Sequence, residues 1–233
     1  KFGTGCGTSA MSGGLNALHR EIEETICAMV GKERALLFST GYTANLGAIS
    51  TLLGKNDVII FDREAHASII DGVRLSGKKW FPFRHNSVKD LRNKLEYCSK
   101  RFDKALVVVE SAYSMSGDLS PLKEIAALKE QYNFYLYVDE AHTFGFYGDR
   151  GRGYCYEQGV IDSVDFIMST LSKATASLGG FVAMKKEFMT LLKLSSNAYI
   201  FQAAFTPQDA GAVIGALDVI ANDPEPARTL HEK

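Results

Sequence analysis

The sequence predicts an α/β fold, a mostly parallel sheet covered by helices on both faces, and three observations carry that expectation. Segments with helical spacing of apolar residues alternate with short strand-like segments along nearly the whole chain. Several of the strand candidates are almost wholly apolar, as strands buried on both faces are. At 233 residues the chain is long enough to wrap one large sheet as one domain.

The elements follow in order. Leu15, Leu18, Ile22, Ile26, Met29 and Val30 recur at helical spacing until Gly31, which supplies a stop. "ALLFS" (35–39) then reads as a buried strand. Further strands are expected at "DVIIFD" (57–62), "KWFPF" (79–83), "KALVVVE" (104–110), "FYLYVD" (134–139), "VDFIMST" (164–170) and "GFVAM" (180–184). Helical patterns lie between most of them, at about 42–54, 66–77, 87–99 and 120–132. In such a sheet ligands gather at the carboxyl ends of the strands, so the polar residues just after each strand carry the functional information.

Composition narrows the partners. A net charge of −1 offers no basic surplus for nucleic acid or acidic lipid. The four cysteines, Cys6, Cys27, Cys98 and Cys155, form no Cys-x-x-Cys pair, which argues against a zinc site or a disulfide scaffold and for a reducing, cytoplasmic setting. No apolar run approaches the ~18 residues that a membrane span requires. The chain opens on Lys1 and a glycine-rich stretch, and both ends read as cut from a longer protein.

One stretch admits two chemistries. Asp139, Glu140, Ala141 and His142 spell a helicase box, and "GVRLSGKK" (72–79) contains the Gly-x-x-x-x-Gly-Lys of a phosphate loop. Yet Lys79 stands where a magnesium-binding hydroxyl belongs, and the stretch reads as helix rather than as a strand entering a loop. The alternative is a carboxylate at the end of a buried strand, costly unless a cation meets it. A protonated pyridine nitrogen meets that need. Lys173 follows the strand that ends in Ser169 and Thr170, where a partly desolvated amine can lose its proton and attack an aldehyde. Taken singly, Lys173 also reads as a solvated loop residue, and His66, His142, Ser114 and Gly41 as ordinary turn or helix residues.

Together, "FSTGYTAN", "HASIIDGVRLS", "FRHN", "ESAYSMSGDLSPL", "VDEAH" and "STLSKA" resemble the α-oxoamine synthases, pyridoxal 5'-phosphate enzymes of the aspartate-aminotransferase fold. The resemblance runs over nearly the whole chain with the motifs in family order. It implies a three-layer α/β/α large domain over residues 1–221 with a roughly seven-stranded sheet, and at 222–233 the start of a connection to a carboxyl-terminal small domain. It also implies individual roles. Lys173 would hold the cofactor as an imine, Asp139 would pair with the ring nitrogen, and His142 and Ser114 would lie by the ring hydroxyl. His66 would stack on the ring. Gly41 and Tyr42 would meet the phosphate through the amino terminus of a helix, and Thr170 would add a hydroxyl. Catalysis would rest on Lys173, His66 and Asp139.

The implied reaction is a decarboxylative condensation of an amino acid with an acyl thioester, carried on coenzyme A or a carrier protein, by a homodimer with its site at the subunit interface. Another reaction of the same cofactor, aldol cleavage or transamination, and an inactive partner subunit are the alternatives. Five positions depart from the family pattern. Ser9 stands where relatives often carry arginine, Ser116 where they show aspartate, and Ala176 where glycine is common. Gln202 and Ala203 replace hydroxyls that reach the partner subunit's phosphate, which implies an altered dimer contact.

Overall fold

The computed structural model describes residues 2–232. All seven expected strands form: β1 Arg34–Phe38, β2 Val58–Asp62, β3 Lys79–Phe83, β4 Ala105–Glu110, β5 Phe134–Asp139, β6 Phe166–Thr170 and β7 Gly180–Met184. They make one sheet in the order β1-β7-β6-β5-β4-β2-β3. β7 runs antiparallel to β1 and β6, and every other pair is parallel. The sheet is therefore mostly parallel, as the apolar strands require.

Ten helices accompany it among the described residues: α1 Ala17–Val30, α2 Gly41–Ile49, α3 Ala67–Leu75, α4 Val88–Ser99, α5 Leu122–Ala127, α6 Tyr154–Glu157, α7 Lys186–Ser195, α8 Asn197–Ile200, α9 Pro207–Asn222 and α10 Glu225–His231. Strand period sorts the core into two layers. Leu37, Ile60, Val107 and Val138 point to one face and pack with Ile22 and Ile26 of α1, Leu91 of α4 and Val213 of α9. Leu36, Ile59, Val108 and Tyr137 point to the other and pack with Ala44 of α2, Ile69 of α3 and Leu192 of α7.

Local chemistry sets the boundaries. Asn16 caps α1 by accepting the Leu18 amide, so Leu15 falls outside the helix, and Gly31 ends it in the left-handed conformation at φ 67°. The helix expected over 120–132 is shorter. It opens only after Pro121 and tightens into a 3-10 turn at Leu128–Glu130. The strand expected from 164 begins at Phe166 because Asp165, buried, accepts the Leu136 amide at 2.7 Å and ties the preceding turn to β5. The "GVRLSGKK" stretch runs from the end of α3 through a turn into β3, so no strand feeds it.

The amino terminus of α2 rests directly on the sheet. A Cβ at Gly180, the first residue of β7, would stand 2.6 Å from the Gly41 Cα and 2.7 Å from its nitrogen. Both are backbone atoms and cannot swing aside. Gly180→Ala is therefore expected to destabilise the fold by roughly 1–3 kcal/mol, the usual cost of overpacking, as measured by urea denaturation.

Candidate active site

Strands β4, β5 and β6 end beside one another and present acidic and basic groups to a cavity of about 280 Å³. Its lining includes Gly41, Tyr42, His66, Asp139, His142, Thr170 and Lys173. Seven of the eight residues singled out from sequence thus converge on one cavity. A larger cleft of about 690 Å³ lies between α1, β1 and α7 near the amino end of β1, lined by Arg20, Glu23, Arg34 and Lys193 among others. It gathers no strand carboxyl ends, and the smaller cavity is the functional candidate.

Asp139 ends β5 and is buried. Its Oδ1 accepts the Ala141 amide at 2.9 Å, and its Oδ2 accepts the Asn45 side-chain amide at 2.8 Å. The same Asn45 nitrogen donates to Ser68 Oγ at 2.9 Å, and Asn45 Oδ1 accepts the Tyr137 hydroxyl at 2.9 Å. Ser68 in turn lies 2.8 Å from Nδ1 of His66, which caps α3. A continuous hydrogen-bonded chain thereby links Asp139 to His66.

Lys173 and His142 meet across the cavity, Nζ to Nε2, at 2.7 Å. Desolvation holds the Lys173 amine below its ordinary pKa, opposed by the Asp139 and Glu110 carboxylates. Burial and the Lys173 charge likewise lower His142, against the pull of Asp139. The ammonium is then the donor and the neutral imidazole the acceptor.

The β1–α2 turn closes one end of the cavity. Thr40 caps α2, its hydroxyl accepting the Thr43 amide at 3.0 Å, so the amides of Gly41 and Tyr42 open the helix toward the cavity. The Thr170 side chain packs there: a Cβ on Gly41 would stand 2.8 Å from Thr170 Cβ. Tyr42 donates its hydroxyl to Asp71.

Ser114 is the residue that the structure does not bring in. The turn from Tyr113 to Asp118 closes on itself, with Tyr113 accepting the Gly117 amide at 2.8 Å and donating to Asp118 at 3.0 Å. Tyr113 takes the buried position against His85, and Ser114 faces solvent in the same turn as Ser116. Ser9 lies outside the cavity lining, with its hydroxyl 3.2 Å from that of Ser12. Gln202 turns inward onto the β1–α2 turn, while Ala203 is exposed.

Three cavity residues escape a reading based on motifs. Glu110 ends β4 beside Asp139 in register and accepts the His66 amide at 2.5 Å. Burial and the Asp139 charge push its carboxyl up to about 8. The strand-end rule that selects Asp139 selects Glu110 equally, because "KALVVVE" ends as "FYLYVD" does. Asn45 and Ser68 leave a fainter trace, as polar residues at helical spacing from buried Ile49 and Gly72.

A family model described as aminotransferase class I and II matches residues 8–230. The chain belongs to that family. It is 44% identical over 232 residues to a serine palmitoyltransferase of Bacteroides thetaiotaomicron, covering 100% of this chain and 59% of the relative. To an 8-amino-7-oxononanoate synthase of Geotalea daltonii it is 40% identical over 220 residues, covering 94% of this chain and 56% of the relative. Among solved structures, a serine palmitoyltransferase from S. paucimobilis with bound PLP and myriocin superimposes with a TM-score of 0.95 at 38% identity, over 100% of this chain and 58% of that one. The chain thus spans somewhat over half the length of the relatives it matches. These relatives are α-oxoamine synthases, so the resemblance drawn from the motifs holds.

Two expected outcomes follow from the site. Ala176, in the loop after Lys173, adopts the left-handed region at φ 45°. A glycine there, as the family resemblance implies, would carry no such strain, and Ala176→Gly is expected to raise stability by about 1 kcal/mol in thermal or urea unfolding. Glu110 binds its proton up to about pH 8 when folded, against an ordinary value of 4.5. Between those values the folded chain holds a proton that the unfolded chain has released, so this group's contribution to stability falls as pH rises. Glu110→Gln, which keeps an acceptor for the His66 amide, is expected to gain stability relative to the parent from pH 5 to 8, by on the order of a few kcal/mol, as followed by urea midpoints.

Proposed function

We propose that the chain forms the cofactor-binding part of a pyridoxal-phosphate-dependent acyltransferase that condenses an amino acid with an acyl thioester, releasing carbon dioxide and giving an α-aminoketone. The observation that carries this reading is the meeting of Lys173 and Asp139 on one small cavity at the carboxyl ends of β5 and β6. The donor set suits the cofactor. Asp139 is a buried carboxylate with capacity for further donors, Lys173 is a partly desolvated amine, and the first turn of α2 offers amides for a phosphate. A volume of about 280 Å³ sits at the lower end of ligand pockets and suits a compact aromatic phosphate.

When bound, pyridoxal phosphate supplies an aldehyde that captures amines and a pyridinium ring that withdraws electrons from the substrate α-carbon. The chain's own residues do the rest. Asp139, fixed by Asn45 and Ala141, would hold the positive charge of the ring nitrogen. Lys173 would hold the cofactor through Nζ, and its lowered pKa favours the neutral amine that could take a proton from the substrate α-carbon. His142 receives a hydrogen bond from the same Nζ and can steady or relay its proton. His66, anchored by Ser68 and by its own amide on Glu110, presents a ring to one wall of the cavity.

Pairing of two copies and a cytoplasmic setting belong to the same reading. Tyr42, at the start of α2, and Phe201, next to Gln202, have exposed rings, and all four cysteines are free. No helix among the described residues is long and apolar enough to cross a membrane.

Addition of pyridoxal phosphate to the full-length chain, borohydride reduction and peptide mass spectrometry are expected to locate the label on Lys173. Lys173→Ala should carry none. Release of carbon dioxide together with free thiol from an amino acid and an acyl thioester identifies the condensation. Labelling at another lysine, or thiol release without carbon dioxide, would refute it.

A further inference from the structure

We infer that Gln202 is a positioning residue for the phosphate-binding turn and fixes the amino terminus of α2 from within the same chain. The inference rests on the cofactor reading above and assigns a role to a residue outside the cavity lining. Gln202 follows α8 by two residues, and its side chain reaches across to the end of β1. Oε1 accepts the Ser39 amide at 2.9 Å and the Ser39 hydroxyl at 2.8 Å, while Nε2 donates to the Leu37 carbonyl at 3.3 Å. A backbone donor on one side and a backbone acceptor on the other leave the carboxamide one consistent orientation. The three contacts hold the backbone on both sides of Phe38.

Ser39 immediately precedes the Thr40 cap, and Gly41 and Tyr42 follow. Any tilt at Ser39 therefore moves the amides that open α2. Asn45, on the same helix, would move with them and disturb its bond to Asp139.

The strap that carries Gln202 is itself held. Before it, α8 packs on α2 at Gly47, where a Cβ would stand 2.5 Å from Ser196 Oγ and 3.1 Å from Ala198 Cβ. After it, Ala204 donates its amide to Thr8 at 2.9 Å, and Phe205 lies against Gly179, where a Cβ would meet its ring at 2.4 Å. With both sides of the strap fixed, the carboxamide meets Ser39 as part of a rigid frame. The strap thus grips α2 twice, through packing at its middle and through Gln202 at its start.

The test compares two probes on the full-length protein, pyridoxal phosphate and pyridoxal, by equilibrium absorbance titration of the parent, Gln202→Ala and Gln202→Met. Methionine nearly preserves the volume and removes every amide contact, so it carries the test if the alanine variant fails to fold. Both variants are expected to raise the Kd of pyridoxal phosphate about tenfold, and that of pyridoxal less than about twofold, because the loss passes through the phosphate. Unchanged affinity for pyridoxal phosphate, or an equal rise for both probes, would overturn the inference. A parent protein that binds neither probe would overturn the cofactor reading instead.

Discussion

A carboxylate buried at the end of a central strand must be satisfied from every side, and Asp139 organises the structure around that requirement. Removing such a group from water without partners costs several kcal/mol, so the fold supplies donors that are themselves fixed. The Ala141 amide is delivered by the turn that leaves β5, and the Asn45 amide by a helix on the opposite face of the site. Asn45 can do so only because Tyr137 holds its Oδ1 and Ser68 accepts a second bond from the same nitrogen. The position of α2 and the ionic character of the cavity are consequently one problem with one solution. Chains of this kind specify geometry because a partly satisfied network is worse than none.

The sheet order makes that solution possible. A wholly parallel sheet would carry the chain away from the site after β6, whereas the antiparallel return through β7 places Gly180 back beside Thr170 and beneath Gly41. Two glycines and a threonine thus seat a helix terminus on the end of a strand with almost no space between them. Gly179 and Gly180 on the return are glycines because the Phe205 ring and the Gly41 backbone approach them so closely, not because the loop is free. The Gly-rich stretch after His142 is packed in the same way: a Cβ on Gly145 would stand 2.4 Å from Ala174 Cβ, and one on Gly153 would stand 1.7 Å from Glu140 Oε2. The loop beneath the lysine segment is held by close packing, not left as a loose tether.

Much of this was legible in the sequence, and the gaps have physical causes. Strands buried on both faces announce themselves as apolar runs, so all seven were readable to within two residues. Lys173 and Asp139 were readable because an ionisable residue at the end of such a run is costly and demands a reason. Ser114 lies apart from the other seven: the turn that contains it closes on its own backbone, and the residue is exposed outside the cavity lining. Asn45 and Gln202 show the converse. Amides are at home on surfaces, and only the packing of α2 and α8 reveals that these two face inward. Glu110 lay within reach of the rule that selected Asp139 and needed only the register of β4 against β5 to be seen as its neighbour.

That register also divides the charge between the two strand ends. Like carboxylates on paired residues cannot both shed their protons cheaply. Asp139 has a backbone amide and a side-chain amide, whereas Glu110 has the His66 amide alone. Burial, and after it the Asp139 charge, push the Glu110 carboxyl up to about 8, against the pull of that amide. A neutral Glu110 removes a repulsion from Asp139 and a competing attraction from Lys173, both of which its charged form would exert. With Glu110 neutral, the Lys173 amine is freer to give up its proton. The second acid of the pair works by being uncharged, a state set first by its burial and then by the Asp139 charge that the parallel pairing of β4 with β5 brings beside it.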